Sequence, residues 1–211
     1  MNTFQQIEQC GIVPVIVLND AARAVPLAKA LLAGGIGVIE ITFRTAAARE
    51  AIARIAAEVP AMLVGAGTIL TLEQLDAAIA AGARFLVSPG LDADLVRAAQ
   101  ARDITILPGA VTPSEIMQGL KLGLDVFKFF PAENYGGLAT IKALAAPFGK
   151  IRFMPTGGVS EKNVSDYLKN PKIAAVGGSW MAPGDLIDAG DFAEIQRRTE
   201  QAVALLRSIR P

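Results

Sequence analysis

Apolar residues of the 211-residue chain are grouped in eight short runs, which alternate with longer segments that mix polar and apolar positions. Each run has the length and the nearly continuous hydrophobicity of a strand that is covered on both faces. Successive runs begin 19 to 25 residues apart, so one helix and two short loops fit between them. The predicted strands are residues 13–17, 37–42, 62–67, 85–89, 104–109, 126–131, 151–157 and 174–179.

The segments between these runs carry signals for the start of helices. Thr71 with Gln74, and Thr112 with Glu115, follow the capping-box pattern, in which two side chains bind free backbone N–H groups at a helix start. We therefore predict a helix after each pair. The pattern also predicts a final helix over residues 192–208.

Alternation of buried strands with helices predicts an α/β fold with parallel strands joined by crossovers. Eight such units can close into a (β/α)8 TIM barrel, here with a short N-terminal helix at residues 3–10, as one domain over residues 1–211. The alternative is an open doubly wound sheet. Its glycine-rich dinucleotide fingerprint is missing from the first loop, residues 18–20, which favours the barrel.

Composition excludes several classes of function. Lys and Arg number 20, as do Asp and Glu, and no block of like charge occurs, so nucleic acid is not expected as a partner. The chain contains no histidine, the commonest metal ligand and acid/base group, so we expect neither a metal nor another cofactor. Chemistry must then depend on carboxylates, lysine, hydroxyls and backbone groups.

The chain also lacks signals for export. The first nine residues do not resemble a signal peptide, and the charge-free residues 59–72 are too short and too interrupted by Pro and Gly to span a bilayer. The one cysteine, Cys10, leaves no intramolecular disulfide framework and fits a reducing compartment. We therefore expect a cytoplasmic protein with no membrane partner.

Lys128 is the first candidate for chemistry, because it is the one charge in the apolar run of residues 126–131. Removing an ammonium from water costs several kcal/mol or drives off its proton. A neutral amine can attack a carbonyl and form a Schiff base. The alternatives are that Lys128 reaches solvent at the strand end or pairs with a buried carboxylate for structural reasons.

Glu40 is the expected partner of Lys128. Side chains alternate along a strand, so Glu40, Thr42 and Arg44 share one face, and the apolar residues between them face the helices. Glu40 and Lys128 would then both point into the barrel, at the strand ends where (β/α)8 enzymes place their working groups. They could act as general base and nucleophile, or form a structural ion pair.

Two further groups of residues suggest anion sites. The glycine pairs 157–158 and 177–178, with Ser179 beside the second, end strands seven and eight, where such barrels often bind phosphate. Alternatively, these glycines only make turns. Arg44 and Thr68 could hold a substrate carboxylate, or could instead be a surface arginine and a helix-cap threonine.

With these residues assembled, the chain resembles the class I 2-keto-3-deoxy-6-phosphogluconate (KDPG) aldolases, which are similar to 4-hydroxy-2-oxoglutarate (KHG) aldolases. The resemblance extends over nearly the whole chain. It depends most on the run that contains Lys128 and on residues 155–159, and further on residues 14–16, 39–44, 64–68, 88–90 and 177–180.

The resemblance implies a homotrimer of (β/α)8 barrels that binds a phosphorylated 2-keto-3-deoxy sugar acid and pyruvate. It implies that Lys128 forms the Schiff base and that Glu40, acting through a water, is the general acid/base. The implied substrate-binding residues are Arg44 and Thr68 at the carboxylate, Pro89 and Phe130 as further contacts, Thr156 beside the phosphate, and Gly157, Gly158, Gly178 and Ser179 around it.

Several functions remain open at this point. The preferred substrate could be KHG or the galacto epimer of KDPG rather than KDPG itself. A sugar-phosphate isomerase or lyase could use Lys128 only as a charge. A non-catalytic barrel could bind phosphate at the glycines while Glu40 and Lys128 form a structural pair.

Overall fold

Eight strands and ten α-helices alternate along the chain in the structure, a computed structural model that describes residues 1–210. Every run predicted as a strand overlaps one, and only the first strand begins outside its run, one residue earlier at Ile12. The strands are β1 (Ile12–Ile16), β2 (Val38–Thr42), β3 (Leu63–Gly67), β4 (Phe85–Val87), β5 (Thr105–Leu107), β6 (Val126–Phe129), β7 (Arg152–Pro155) and β8 (Val176–Gly178).

The helices follow the strands, after a short leading helix that agrees with the prediction. The helix near the end of the chain is one residue longer than predicted. The helices are α1 (Thr3–Cys10), α2 (Ala24–Ala33), α3 (Ala48–Glu58), α4 (Leu72–Ala80), α5 (Ala93–Ala101), α6 (Pro113–Lys121), α7 (Gly137–Ala145), α8 (Val164–Leu168), α9 (Gly184–Ala189) and α10 (Phe192–Ile209). Within residues 1–210, none of them combines the length and hydropathy that crossing a membrane requires.

One of the two predicted capping boxes forms completely. The Thr112 hydroxyl accepts a hydrogen bond from the Glu115 N–H at 3.3 Å, and the Glu115 carboxylate accepts one from the Thr112 N–H at 2.9 Å. At the start of α4 the Thr71 hydroxyl accepts from the Gln74 N–H, but the Gln74 amide oxygen accepts from Leu70, one residue before the cap. That second box is therefore only half formed.

All strand pairs are parallel, as predicted. The strands form a curled six-stranded sheet in the order β5-β4-β3-β2-β1-β8 and a two-stranded sheet of β6 and β7. The order follows the sequence from β5 to β1, so the sheet lacks the reversal of strand order that defines a doubly wound fold. Isolated parallel bridges join the two sheets, at Gly109 with Lys128, Phe153 with Ile173, and Thr156 with Gly177.

The strands separate two buried clusters. Ile39 and Ile41 of β2, like Phe127 and Phe129 of β6, belong to the large cluster that packs the strands against the helices. The smaller cluster lies on the opposite face and includes Val13, Val38, Leu63, Phe85, Val126 and Met154. Glu40 and Lys128 lie two residues from Val38 and Val126, so strand alternation places both on this inner face.

Several strands end earlier than the apolar runs of the sequence predicted. The predicted run of residues 85–89 ends as a strand at Val87, and the run of residues 104–109 ends at Leu107. In both cases a proline follows within two residues, and proline has no N–H to donate to a neighbouring strand. The remaining residues of these runs form the loops after β4 and β5.

Candidate active site

Lys128 and Glu40 meet inside the fold, although they come from strands that are not neighbours. The Lys128 Nζ lies 3.5 Å from the Glu40 Oε1, and the two residues are 2% and 0% exposed. The second carboxylate oxygen, Oε2, is buried and has no hydrogen-bond partner within residues 1–210. A buried acceptor with no partner is unusual, so this oxygen is available to bind a proton or a substrate hydroxyl.

Gly67, at the end of β3, provides the space that the Glu40 carboxylate occupies. A Cβ atom at this position would lie 1.9 Å from Oε1 and 2.6 Å from the carboxylate carbon of Glu40. Two residues after Glu40, the Thr42 hydroxyl donates to the carbonyl oxygen of Ile16 at 3.0 Å and joins the ends of β2 and β1. These contacts restrict where the carboxylate can lie.

A cleft of about 270 Å³ opens near the pair, although neither Lys128 nor Glu40 lines its wall. Of the residues implied by the resemblance, those in its wall are Arg44, Phe130, Thr156, Gly157, Gly158, Gly178 and Ser179. The Lys128 Nζ lies 5.2 Å from the centre of the Phe130 ring, within the range of a cation–π contact. The cleft is therefore adjacent to the buried amine.

Arg44 and Thr68 are joined at one side of this cleft. The Arg44 Nε donates to the Thr68 hydroxyl at 3.3 Å. The backbone of Thr68 has a φ of 59°, in the left-handed region that a β-branched residue rarely occupies. Such conformations cost about 1–3 kcal/mol and concentrate at ligand sites. Thr68 does not line the cleft itself, so it reaches the site through Arg44.

The glycine pair after β7 forms the other side. Gly157 and Gly158 have φ values of 93° and 82°, which only glycine adopts readily. Within residues 1–210, the N–H groups of Gly157, Gly158 and Ser179 donate to no other protein group. Beside them the Thr156 hydroxyl is buried and has no hydrogen-bond partner in the described part of the chain. This side of the cleft thus offers several donors to an anion.

Pro89 lies apart from the cleft. It lines a separate surface depression with residues of the β3 and β4 loops, including Leu70 and Ser88. Its carbonyl oxygen approaches Gly109 so closely that a Cβ there would lie 2.0 Å from it. The structure therefore places the Pro89 loop against the loop after β5, and not in the cleft wall.

The ionisable groups of the site are Lys128, Glu40 and Arg44. Within residues 1–210, no three carboxylates, thiols or imidazoles lie close enough together to bind a metal. An amine buried beside a carboxylate can condense with a ketone, and the carboxylate can exchange protons with the product of that condensation. Arg44 can pair with a carboxylate on the same molecule.

Comparison with known proteins agrees with this chemistry. The family model for the KDPG and KHG aldolases matches residues 4–198. The chain belongs to the KDPG and KHG aldolase family.

Individual relatives cover almost the whole chain. The 2-dehydro-3-deoxy-phosphogluconate aldolase of Dickeya dadantii is 51% identical over 201 residues, covering 95% of this chain and 94% of the relative. The KHG/KDPG aldolase of Escherichia coli is 48% identical over 192 residues, covering 91% and 90%. The KDPG aldolase of Legionella pneumophila, crystallised with pyruvate captured at low pH as a covalent carbinolamine intermediate, superposes with a TM-score of 0.92 at 40% identity, covering 95% and 98%.

Several residues of the cleft wall were not predicted from the sequence. The missed residues are Val15, Ile16 and Val17 at and just after the end of β1, Val159 after β7, and Ala182, Gly184 and Ile187 around α9. The residues around α9 could have been predicted, because (β/α)8 enzymes often complete a phosphate site with a short extra helix after the last strands. The sequence Pro183-Gly184-Asp185 comes soon after β8, beyond the loop of residues 179–182, and starts such a helix.

Proposed function

We propose that this protein is a class I aldolase that reversibly cleaves KDPG to pyruvate and glyceraldehyde 3-phosphate. The observation that carries the proposal is the 3.5 Å contact of Lys128 with Glu40, buried beside the cleft. Membership of the family supports it. The covalent pyruvate adduct in the Legionella relative supports the use of a lysine imine.

Lys128 is the nucleophile in this proposal. Its amine attacks the C2 ketone of the substrate, and loss of water leaves a protonated imine. The imine accepts the electron pair of the C3–C4 bond as that bond breaks, which an unactivated ketone does poorly. Burial of Lys128 beside Glu40 places the amine next to a group that can exchange protons during this attack.

Glu40 moves the protons. It accepts the proton of the C4 hydroxyl while the C3–C4 bond breaks and glyceraldehyde 3-phosphate leaves. It then returns a proton to C3 of the enamine on Lys128, and hydrolysis of the resulting imine releases pyruvate. The free Oε2 of Glu40 supports this role, because it is a buried acceptor with no protein partner among the described residues.

The two sides of the cleft hold the two ends of the substrate. Arg44 binds the carboxylate next to the reacting ketone, and Thr68 orients the Arg44 guanidinium through their hydrogen bond. The phosphate at the other end accepts hydrogen bonds from the loop N–H groups of Gly157 and Gly158 and from the chain around Gly178 and Ser179. Placement of these residues in one cleft wall supports the assignment.

The remaining site residues are Phe130, Thr156 and Pro89. Phe130 covers the apolar side of the carbon chain next to Lys128, and the Thr156 hydroxyl, buried without a partner among the described residues, lies beside the phosphate. Pro89 contributes through the loop that it holds against Gly109, which itself bridges to Lys128. The position of Pro89 outside the cleft makes its role indirect in this proposal.

We infer that the two sheets close into one (β/α)8 barrel. Hydrogen bonds between them support this: Lys128 N–H donates to the Pro108 carbonyl and Ala110 N–H to the Lys128 carbonyl, each at 2.9 Å. On the other edge, Ala174 N–H donates to the Phe153 carbonyl at 2.9 Å. Amide hydrogen exchange checks the inference, since these N–H groups should be as protected as those inside either sheet.

The same proposal includes one domain of residues 1–211, assembled as a homotrimer in the cytoplasm. The buried cluster between strands and helices contains residues of all eight strands, which supports a single core. The trimer follows the resemblance to the family. Light scattering in solution tests it, because a mass below three chains at micromolar concentration contradicts the assembly.

A coupled assay of pyruvate release tests the function. The protein should cleave KDPG, and kcat/KM should be at least about tenfold higher for KDPG than for KHG, because hydrogen bonds to a charged group contribute about 1.5–3 kcal/mol each. The galacto epimer serves as the third substrate. A higher kcat/KM for KHG would assign the alternative substrate, and phosphate binding without cleavage of any of the three would reject the aldolase.

Gly67→Ala is expected to disable the site although it replaces neither Lys128 nor Glu40. The new methyl group would overlap the Glu40 carboxylate, so Glu40 must move away from Lys128. Loss of a positioned acid/base group lowers kcat by about 10²–10⁴-fold, and overpacking costs about 1–3 kcal/mol of stability. Steady-state kinetics and thermal unfolding measure both effects.

Gly37→Ala is the matched control. A Cβ at Gly37, just before β2, would make only an ordinary 3.9 Å contact with Leu32. Activity within about twofold of wild type is expected for this variant. If Gly67→Ala also turned over normally, the position of the Glu40 carboxylate would not matter for catalysis.

A further inference from the structure

A second polar pair lies behind the phosphate loop, outside the cleft. Glu133 begins a short 3-10 turn after β6, and Tyr167 lies on α8, 34 positions further along the chain. The Tyr167 hydroxyl donates to the Glu133 Oε1, and Tyr167 is only 2% exposed. Neither residue belongs to the cleft wall. The pair therefore has no part in the chemistry proposed above.

Glu133 contacts both glycines of the loop. Its N–H donates to the carbonyl oxygen of Gly157 at 3.1 Å. Its side chain packs so closely under Gly158 that a Cβ on that glycine would lie 2.4 Å from the Glu133 Cγ. From the side of α8, the Asn163 Nδ2 donates to the Gly158 carbonyl at 3.0 Å. The carbonyl oxygens of Gly157 and Gly158 thus accept hydrogen bonds from residues outside the cleft wall.

Each carbonyl lies in one peptide plane with the N–H of the following residue, so the bound carbonyls of Gly157 and Gly158 fix the N–H groups of Gly158 and Val159. In a chain with two successive positive φ values, rotation of either peptide would turn its N–H away from the cleft. Glycine offers little resistance to such a rotation, because it has no Cβ to exclude other conformations. The contacts with Glu133 and Asn163 therefore restrict the backbone of the two glycines to one conformation.

The Tyr167 hydroxyl fixes the Glu133 side chain in turn. Burial, and then the neighbouring Glu133 carboxylate, raise the pKa of Tyr167 above its ordinary value, so the hydroxyl stays protonated and remains a donor. Without that donor, the exposed Glu133 side chain would be free to adopt other rotamers. Its charge could then approach the bound phosphate, which like-charge repulsion disfavours.

We propose that Glu133 and Tyr167 are positioning residues that hold the Gly157-Gly158 loop in the conformation that binds the substrate phosphate. The proposal rests on the function proposed above and deepens it, because it assigns preference for the phosphorylated substrate to residues that do not touch that substrate. It predicts an effect confined to one end of the substrate: KM for KDPG should change, and cleavage of the unphosphorylated KHG should not.

Tyr167→Phe removes only the hydroxyl and tests the proposal directly. We expect kcat/KM for KDPG to fall about tenfold, the usual effect of losing one hydrogen bond to a charged group. The loss should appear in KM, with kcat for KDPG and both constants for KHG within about twofold of wild type. Tyr135→Phe is the matched control, because Tyr135 is 51% exposed and lies in the same 3-10 turn as Glu133.

Two variants of Glu133 test whether its role depends on accepting the hydrogen bond from Tyr167 or on its negative charge. Glu133→Gln keeps an oxygen that accepts from Tyr167 and should retain wild-type KM for KDPG within about twofold. Glu133→Ala removes the acceptor and should raise that KM about tenfold, as Tyr167→Phe does. Equal losses on KDPG and KHG, or no loss in Tyr167→Phe and Glu133→Ala, would overturn the positioning role while leaving the aldolase intact. Failure of the wild-type protein to cleave KDPG would overturn both.

Discussion

Lys128→Met is expected to abolish both covalent capture of pyruvate and aldol cleavage. With wild-type protein, pyruvate and borohydride, the reduced imine should form one stable adduct, which peptide mass spectrometry should locate on Lys128. Methionine fills similar space but has no amine, so the variant should show no adduct. Its kcat should fall by at least about 10⁴-fold, as for other enzymes that lose their nucleophile.

Lys121→Met provides the control for that experiment. Lys121 is an exposed lysine in the last turn of α6, so its loss should leave trapping and turnover unchanged. A loss of stability in Lys128→Met would not distinguish a nucleophile from a structural residue, because breaking a buried ion pair costs about 3–5 kcal/mol in either case. An adduct that persists in a folded Lys128→Met protein would place the nucleophile elsewhere and reject the mechanism.

Glu40→Gln should separate the two steps of the reaction. The amide has the same shape as the carboxylate but cannot accept the C4 hydroxyl proton. We expect the variant still to form the borohydride-trapped pyruvate adduct on Lys128, because imine formation depends less on proton transfer by this group. Cleavage of KDPG should fall about 10²–10⁴-fold in kcat, the usual contribution of a general acid/base group.

Glu50→Gln is the corresponding surface control. Glu50 is exposed on α3, where it pairs with Arg54 one helical turn away, and an exposed pair of this kind contributes little. It should trap and turn over like wild type. If Glu40→Gln cleaved KDPG at the wild-type rate, the acid/base role would belong to another group, and Glu40 would remain only the structural partner of Lys128.

Local sequence pattern predicted much of the fold. Period-two alternation placed Glu40 opposite Ile39 and Ile41, and in the structure these two belong to the cluster facing the helices, whereas Val38, on the face of Glu40, belongs to the other cluster. The capping box at Thr112 formed as predicted because its hydrogen bonds join residues three positions apart. Features of this kind need no information from distant parts of the chain.

Other features of the site had no local signal. Gly67 resembles any glycine at a strand end, and only the position of Glu40 on the neighbouring strand explains why a side chain is excluded there. The partnership of Glu133 with Tyr167 joins a turn after β6 to a helix after β7. Such contacts depend on how crossover helices pack, which residue patterns do not specify.

The sequence by itself determined the order of strands and helices, the face on which each side chain lies, and the presence of one lysine in an apolar strand. The sequence also predicted that Lys128 and Glu40 face the same interior, but only the tertiary structure decided that they come within 3.5 Å of each other, 88 positions apart on strands that are not neighbours in either sheet. Alternation along a strand is set by local backbone geometry, whereas the distance between two strand ends is set by the pairing, register and curvature of every strand between them.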